Sequence, residues 1–147
     1  MRSGKPKTGS NKIVEIEKGM VKMKLRYGLI GAGRVAPNHV KAFWENKEEL
    51  EFAAYCDIDP AAGERLRQGN PQALDGVPFY TDYHEMIAKE KLDIVSIATF
   101  SGTHAAIALD CLEKNINLII EKPIAMSLED ADRIVALSEE KGLVVSA

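Results

Sequence analysis

Cysteine is scarce: Cys56 and Cys111 lie far apart and neither has a CxxC partner. Zinc and dithiol chemistry need closely spaced ligands, so no metal site is expected. The two thiols read instead as small buried apolar side chains of a protein kept in a reducing compartment. Aromatic residues make up 6% of the chain, and no apolar run approaches the ~18 residues that cross a bilayer. The first 24 residues, MRSGKPKTGSNKIVEIEKGMVKMK, are basic but lack the apolar centre of a secretory signal. No membrane partner is expected, and the localisation expected is cytoplasmic.

Positive charge is also missing where a polyanion would need it. Net charge is −3, and residues 1–26 hold eight Lys/Arg against two Glu, leaving 11 basic and 20 acidic residues for the rest. A phosphate backbone is a poor partner for so acidic a body, so no nucleic acid is expected. The basic arm lacks interleaved aromatics, and its Gly, Ser, Pro and Lys content predicts a disordered leader over 1–24. Residues 25–147 then form one domain, of the ~100–150 residues that single domains commonly have.

Regular alternation of elements is what the chain does have. Strands are expected at Leu25–Ile30, Glu51–Asp57, Val77–Tyr80, Leu92–Thr99, Asn117–Ile120 and Leu143–Ser146. Helices are expected after the first strand to about Asn46, then at Pro60–Gln68, Asp82–Lys89, Ser101–Lys114 and Ser127–Lys141, with residues 69–77 a loop. Asp59-Pro60, Asp82 and Ser127 are start signals, and Gly142 is a stop. Strand and helix in strict turn predict α/β: a doubly wound, mostly parallel sheet covered on both faces.

Chemistry concentrates where strands end. Gly31, Gly33 and Ala36 spell G-x-G-x-x-A between a strand and a helix, the context that gives this weak motif meaning. Gly31 allows the tight turn, Gly33 admits a pyrophosphate to the backbone, and Ala36 permits close helix packing. Phosphates then sit on the helix start, where the free N–H groups favour anions, with Arg34 and Val35 beside them. Arg34 adds positive charge there or is simply solvated. Asp57 ends the second strand, where a carboxylate accepts hydrogen bonds from a ribose and repels a 2′-phosphate. That favours NAD, with NADP possible. The competing reading is that Asp57 and Asp59 only cap the next helix. The remaining strand ends, Thr99 to His104 and Glu121-Lys122-Pro123, meet the same edge of the sheet; alone, each reads as structural.

Taken together, GLIGAGRVAPNH, YCDIDP, SIATFSGTHAAIAL and IIEKPIAMSLEDA resemble the glucose–fructose oxidoreductase / inositol dehydrogenase (Gfo/Idh/MocA) family of nicotinamide-dependent sugar dehydrogenases, from about Leu25 to the chain end. The resemblance implies Rossmann-type dinucleotide-binding topology. It implies that Lys122 of the EKP motif is the catalytic lysine, close to nicotinamide and substrate. Glu121 and Pro123 would shape its turn, and Thr99 and His104 would lie in the loop that passes the cofactor. Phe100 stands where the family usually has proline. The resemblance also implies a sugar, polyol or nucleotide-sugar substrate, and a second α+β domain that supplies substrate contacts and a homo-oligomer interface. The chain reads as the cofactor half of such an enzyme, expected to bind NAD with little turnover. The alternative is a non-catalytic dinucleotide-sensing module.

Overall fold

A computed structural model describes the backbone of residues 12–17 and 20–147, and side chains from residue 23 onward. β2 (Met20–Ile30) has two partners. Its first half pairs antiparallel with β1 (Lys12–Glu17), in a register that sets Glu15 opposite Lys22 and Ile16 opposite Val21. From Leu25 onward it enters a parallel sheet. The leader expected over 1–24 falls outside the described residues at 1–11, 18 and 19. Over 12–17 and 20–24 there is a hairpin instead. The physical reason is the β-branched residues Ile13, Val14, Ile16 and Val21, which favour an extended ladder despite the charged composition around them.

The sheet runs β4 (Phe79–Tyr80), β3 (Leu50–Cys56), β2, β5 (Ile94–Ile97), β6 (Asn117–Ile120), β7 (Val145–Ser146), all parallel. From β2 the chain steps outward to β3 and β4. It then crosses back to β5 and steps outward the other way. The order therefore reverses between β2 and β5, and a crevice opens beyond their carboxyl ends.

Period-2 alternation divides the core. Tyr27 and Leu29 of β2 face α1 (Ala36–Glu45), α2 (Pro60–Gly69) and α3 (Pro71–Leu74), in a cluster with Phe43, Phe52, Leu66 and Leu74. Ile30 faces the other way, with Val95, Ile97, Leu118 and Ile120, against α4 (Tyr83–Lys89), α5 (His104–Glu113) and α6 (Leu128–Lys141). Val95 and Ile97 are fully buried, each worth roughly 1.5–3 kcal/mol over the exposed state. Cys56 and Cys111 are free thiols buried in this second cluster, as expected.

The helix signals work as the sequence indicates. Asp59 accepts from Ala61 N–H at 3.0 Å, Asp82 from His84 N–H at 2.9 Å and Ser127 from Asp130 N–H at 3.1 Å. Gly142 ends α6 in the left-handed region, at φ 68°. Two local expectations differ. The 69–77 loop contains the single turn α3, because Ala73 and Leu74 find burial there. The helix expected from Ser101 begins as a 3-10 turn (Ser101–Thr103) before α5 starts at His104.

Candidate functional site

The glycine turn is built by contact with neighbouring strand ends. Gly31 has φ 108°, and a Cβ placed on it would stand 2.5 Å from the Ala98 carbonyl oxygen, so the turn lies directly against the end of β5. Gly33 is the opposite case: a Cβ there would meet nothing within 4 Å. Its open backbone face is the cradle a pyrophosphate needs. Ala36 is fully buried against the core, as the motif requires.

No side chain caps α1. Val35 occupies the N-cap without a side-chain hydrogen bond, and no acidic residue lies in the first turn. α5 also starts without a side-chain cap or a first-turn acid. The helices following β3 and β6 are capped by Asp59 and Ser127. The uncapped start of α1 lies at the reversal point between β2 and β5, where a helix amino end favours an anion, whereas α5 continues from the 3-10 turn, with the Thr103 and His104 N–H groups bonded to the Phe100 and Ser101 carbonyls. Arg34 is exposed beside the start of α1.

Asp57 makes two backbone contacts, of which only the one leading into α2 was among the alternatives read from the sequence. Its Oδ2 accepts from Ala32 N–H at 2.7 Å, tying down the glycine turn, and its Oδ1 accepts from Asp59 N–H at 2.8 Å, leading into α2. An ionised carboxylate has about four lone-pair positions, so capacity remains for a ribose hydroxyl. Ile58, next to it, is 85% exposed, an apolar surface at the rim that the sequence reading missed.

After β5, Thr103 Oγ1 donates to the Phe100 carbonyl at 2.7 Å. Its single proton is thereby used, so Thr99 Oγ1 is the donor in its 2.7 Å contact with Thr103 Oγ1. Phe100 sits at φ −63°, a value that proline would also adopt, so the departure from the family pattern leaves the backbone shape intact. Its ring is 82% exposed. His104 takes a different place from the cofactor contact expected of it. It is 1% exposed, with Nδ1 2.7 Å from the Pro123 carbonyl oxygen and Nε2 2.9 Å from the Thr99 carbonyl oxygen. Both ring nitrogens are occupied within the protein, so the side chain acts on the loops and offers no free nitrogen to a ligand.

After β6, Glu121 N–H donates to the Ile97 carbonyl at 3.0 Å, and Glu121 Oε2 accepts from His39 Nε2 at 2.8 Å. The Lys122–Pro123 peptide bond is cis. Lys122 is exposed and, among the described residues, has no hydrogen bond or ion pair. The opposite charges that adjoin in sequence are therefore separately employed: Glu121 is bound to a helix and Lys122 is free. His39 was not singled out in the sequence; its only signal is its position in APNH just past the glycine turn, and its partner is 82 residues away. Among the described residues there is no cluster of His, Cys, Asp and Glu suited to a metal ion, and no helix is long and apolar enough to cross a membrane.

An open glycine cradle, an uncapped helix start and a strand-end carboxylate at the reversal point of a doubly wound sheet define a dinucleotide-binding domain of the Rossmann type. Comparison with known proteins makes the assignment narrower. Residues 25–147 match the Gfo/Idh/MocA profile, described as an oxidoreductase family with an NAD-binding Rossmann fold. A glycosyl hydrolase family 109 protein from Shewanella woodyi is 35% identical over 91% of this chain and 30% of its own length. A D-apiose dehydrogenase from Paraburkholderia graminis is 34% identical over 82% of this chain and 31% of its own. Among solved structures, the WlbA dehydrogenase from Chromobacterium violaceum, in complex with NADH and UDP-GlcNAcA, superimposes with a TM-score of 0.75 at 30% identity, covering 83% of this chain and 34% of that one. The chain belongs to the Gfo/Idh/MocA family of oxidoreductases, and what it contains is the family's NAD-binding domain. It spans only 30% and 31% of the length of the two curated relatives named.

Proposed function

We propose that this domain serves, within a longer protein, to hold NAD for oxidation of a hydroxyl-bearing carbon of a sugar, polyol or nucleotide-linked sugar. NAD, when bound, supplies the hydride acceptor. The residues of this chain supply the rest. Gly31 makes the tight turn that opens the Gly33 backbone to the pyrophosphate, and Asp57 receives the ribose hydroxyls while its charge disfavours a 2′-phosphate. Lys122 contacts the substrate hydroxyl whose proton leaves as the carbon–hydrogen bond yields its hydride. The observation carrying this reading is the free, exposed Lys122 at the same sheet edge as the open cradle of Gly33. A second α+β domain, contributing the remaining substrate contacts and a homo-oligomer interface in the cytoplasm, completes the proposal.

Thermal melts with NAD and NADP test the first step. At a hundredfold excess over Kd, NAD adds roughly 2.7 kcal/mol and raises the midpoint, with NADP weaker. No rise with either cofactor overturns the reading. The relation to a glycosyl hydrolase at 35% identity favours one second reading, in which the same cofactor site serves glycoside cleavage; NAD-dependent hydrolases are known. Release of sugar from a glycoside by the longer protein, without net NADH formation, separates the two.

A further inference from the structure

Lys122 is free, yet the residues on either side of it are held. On the amino side, Glu121 is gripped by His39 of α1, at 2.8 Å. On the carboxyl side, the Pro123 carbonyl is gripped by His104 of α5, at 2.7 Å. These helices lie on opposite faces of the sheet: Val40 and Phe43 of α1 pack in one core cluster, Ile107 and Leu112 of α5 in the other. The loop is thus caught from above and below. Each helix is also the one that follows a strand at the reversal point, α1 after β2 and α5 after β5.

We infer that His39 and His104 are positioning residues that clamp the Lys122 loop and tie it to the two helix starts of the cofactor crevice. The clamp rests on the assignment of Lys122 to the cofactor site only for its purpose; its existence can be tested without ligand. His39 is the more informative handle, because its side chain is 11% exposed whereas His104 is 1% exposed and essential to local packing. A clamp gives the loop little freedom and delivers Lys122 to the same point each time, which is what positioned proton transfer requires. His104 Nε2 also stands 2.9 Å from the Thr99 carbonyl oxygen, so a ring protonated on both nitrogens would donate to the loops after β5 and β6 together.

The experiment uses ¹⁵N relaxation of the Lys122 amide in wild type, His39→Ala, His39→Gln and Glu121→Ala, with and without NAD. In the ligand-free wild type an order parameter of about 0.85 is expected, falling below about 0.6 in His39→Ala and Glu121→Ala. His39→Gln, which keeps a donor for Glu121, restores it, and melting midpoints stay within a few degrees. An order parameter unchanged in His39→Ala, or lost equally in His39→Gln, overturns the clamp. NAD should move the Lys122 amide signal in wild type and in His39→Gln, and move it less than half as far in His39→Ala, while Kd changes less than threefold. A Lys122 signal indifferent to NAD in wild type removes Lys122 from the cofactor site and leaves the clamp standing.

Discussion

Gly31 and Gly33 share one turn, and replacing each by alanine should give opposite results. For Gly31→Ala the new methyl carbon would stand 2.5 Å from the Ala98 carbonyl oxygen, 2.6 Å from its carbon and 3.0 Å from Thr99 N, with φ at 108°. Such a φ costs an L-residue about 1–3 kcal/mol. The overlap is with backbone and cannot be relieved by turning a side chain, so the turn must retreat from β5. That strains the bonds from Gly31 N–H to the Cys56 carbonyl and from Ala98 N–H to the Ile30 carbonyl, both 2.8 Å. Each is worth about 1 kcal/mol, so the total is about 3–5 kcal/mol, a large part of a typical 5–15. The melting midpoint should fall by roughly 10–20 °C. In Gly33→Ala the methyl enters open space, and stability should change by less than about 1 kcal/mol. The same methyl stands on the face a pyrophosphate must approach, and NAD affinity should drop at least tenfold by calorimetry. Comparable melting losses in the two variants, or NAD bound as tightly by Gly33→Ala as by wild type, would refute the division of labour.

Other tests follow from single contacts. Asp57→Ala removes the acceptor of Ala32 N–H and the receiver of the ribose, so NAD affinity should fall roughly ten- to a hundredfold and NADP affinity less; equal loss by titration rejects the ribose role. Arg26, at the other edge of the sheet, bonds Glu51 at 3.2 Å, Glu90 at 2.9 Å and the Lys91 carbonyl at 2.7 Å. Arg26→Ala leaves partly buried carboxylates unpaired and should lower the midpoint by roughly 8–15 °C, with NAD affinity of the folded protein little changed. Lys122→Met should do the reverse, leaving the midpoint alone and abolishing turnover in the longer protein. Burial pushes the Cys56 and Cys111 thiols up to about 12 from an ordinary 9.0. At pH 8 a thiol reagent should therefore label neither in the folded protein and both in urea. Because the raised values favour the protonated folded state, this stabilisation is present below about pH 9 and should fade toward pH 12, as urea midpoints would record.

The parts of this protein that depend on near neighbours were legible in its sequence. Short apolar runs gave all six of the parallel strands within a few residues, because side chains of a strand must alternate between two helix layers. Caps at Asp59, Asp82 and Ser127 were readable because each bonds an amide two or three residues away. The glycine turn was readable because the demands on Gly31 and Gly33 are set by the local path of the chain. The antiparallel pairing of residues 12–17 with 20–24 was hidden by composition, since lysine and glutamate mask a β-branched ladder.

Contacts between distant strand ends were decided by the tertiary structure. Spacing alone left Asp57 as either a ribose ligand or a cap; only the return of β3 beside β2 put its carboxylate against Ala32. His104 looked like a group facing the cofactor until the fold buried it between two carbonyls. Glu121 and Lys122 looked like an ion pair because they adjoin in sequence, and a helix 82 residues earlier supplied His39 to separate them. No local pattern encodes such a partner. Sheet order brings the carboxyl ends of β2, β3, β5 and β6 to one edge, and that convergence turns four separate loops into one site.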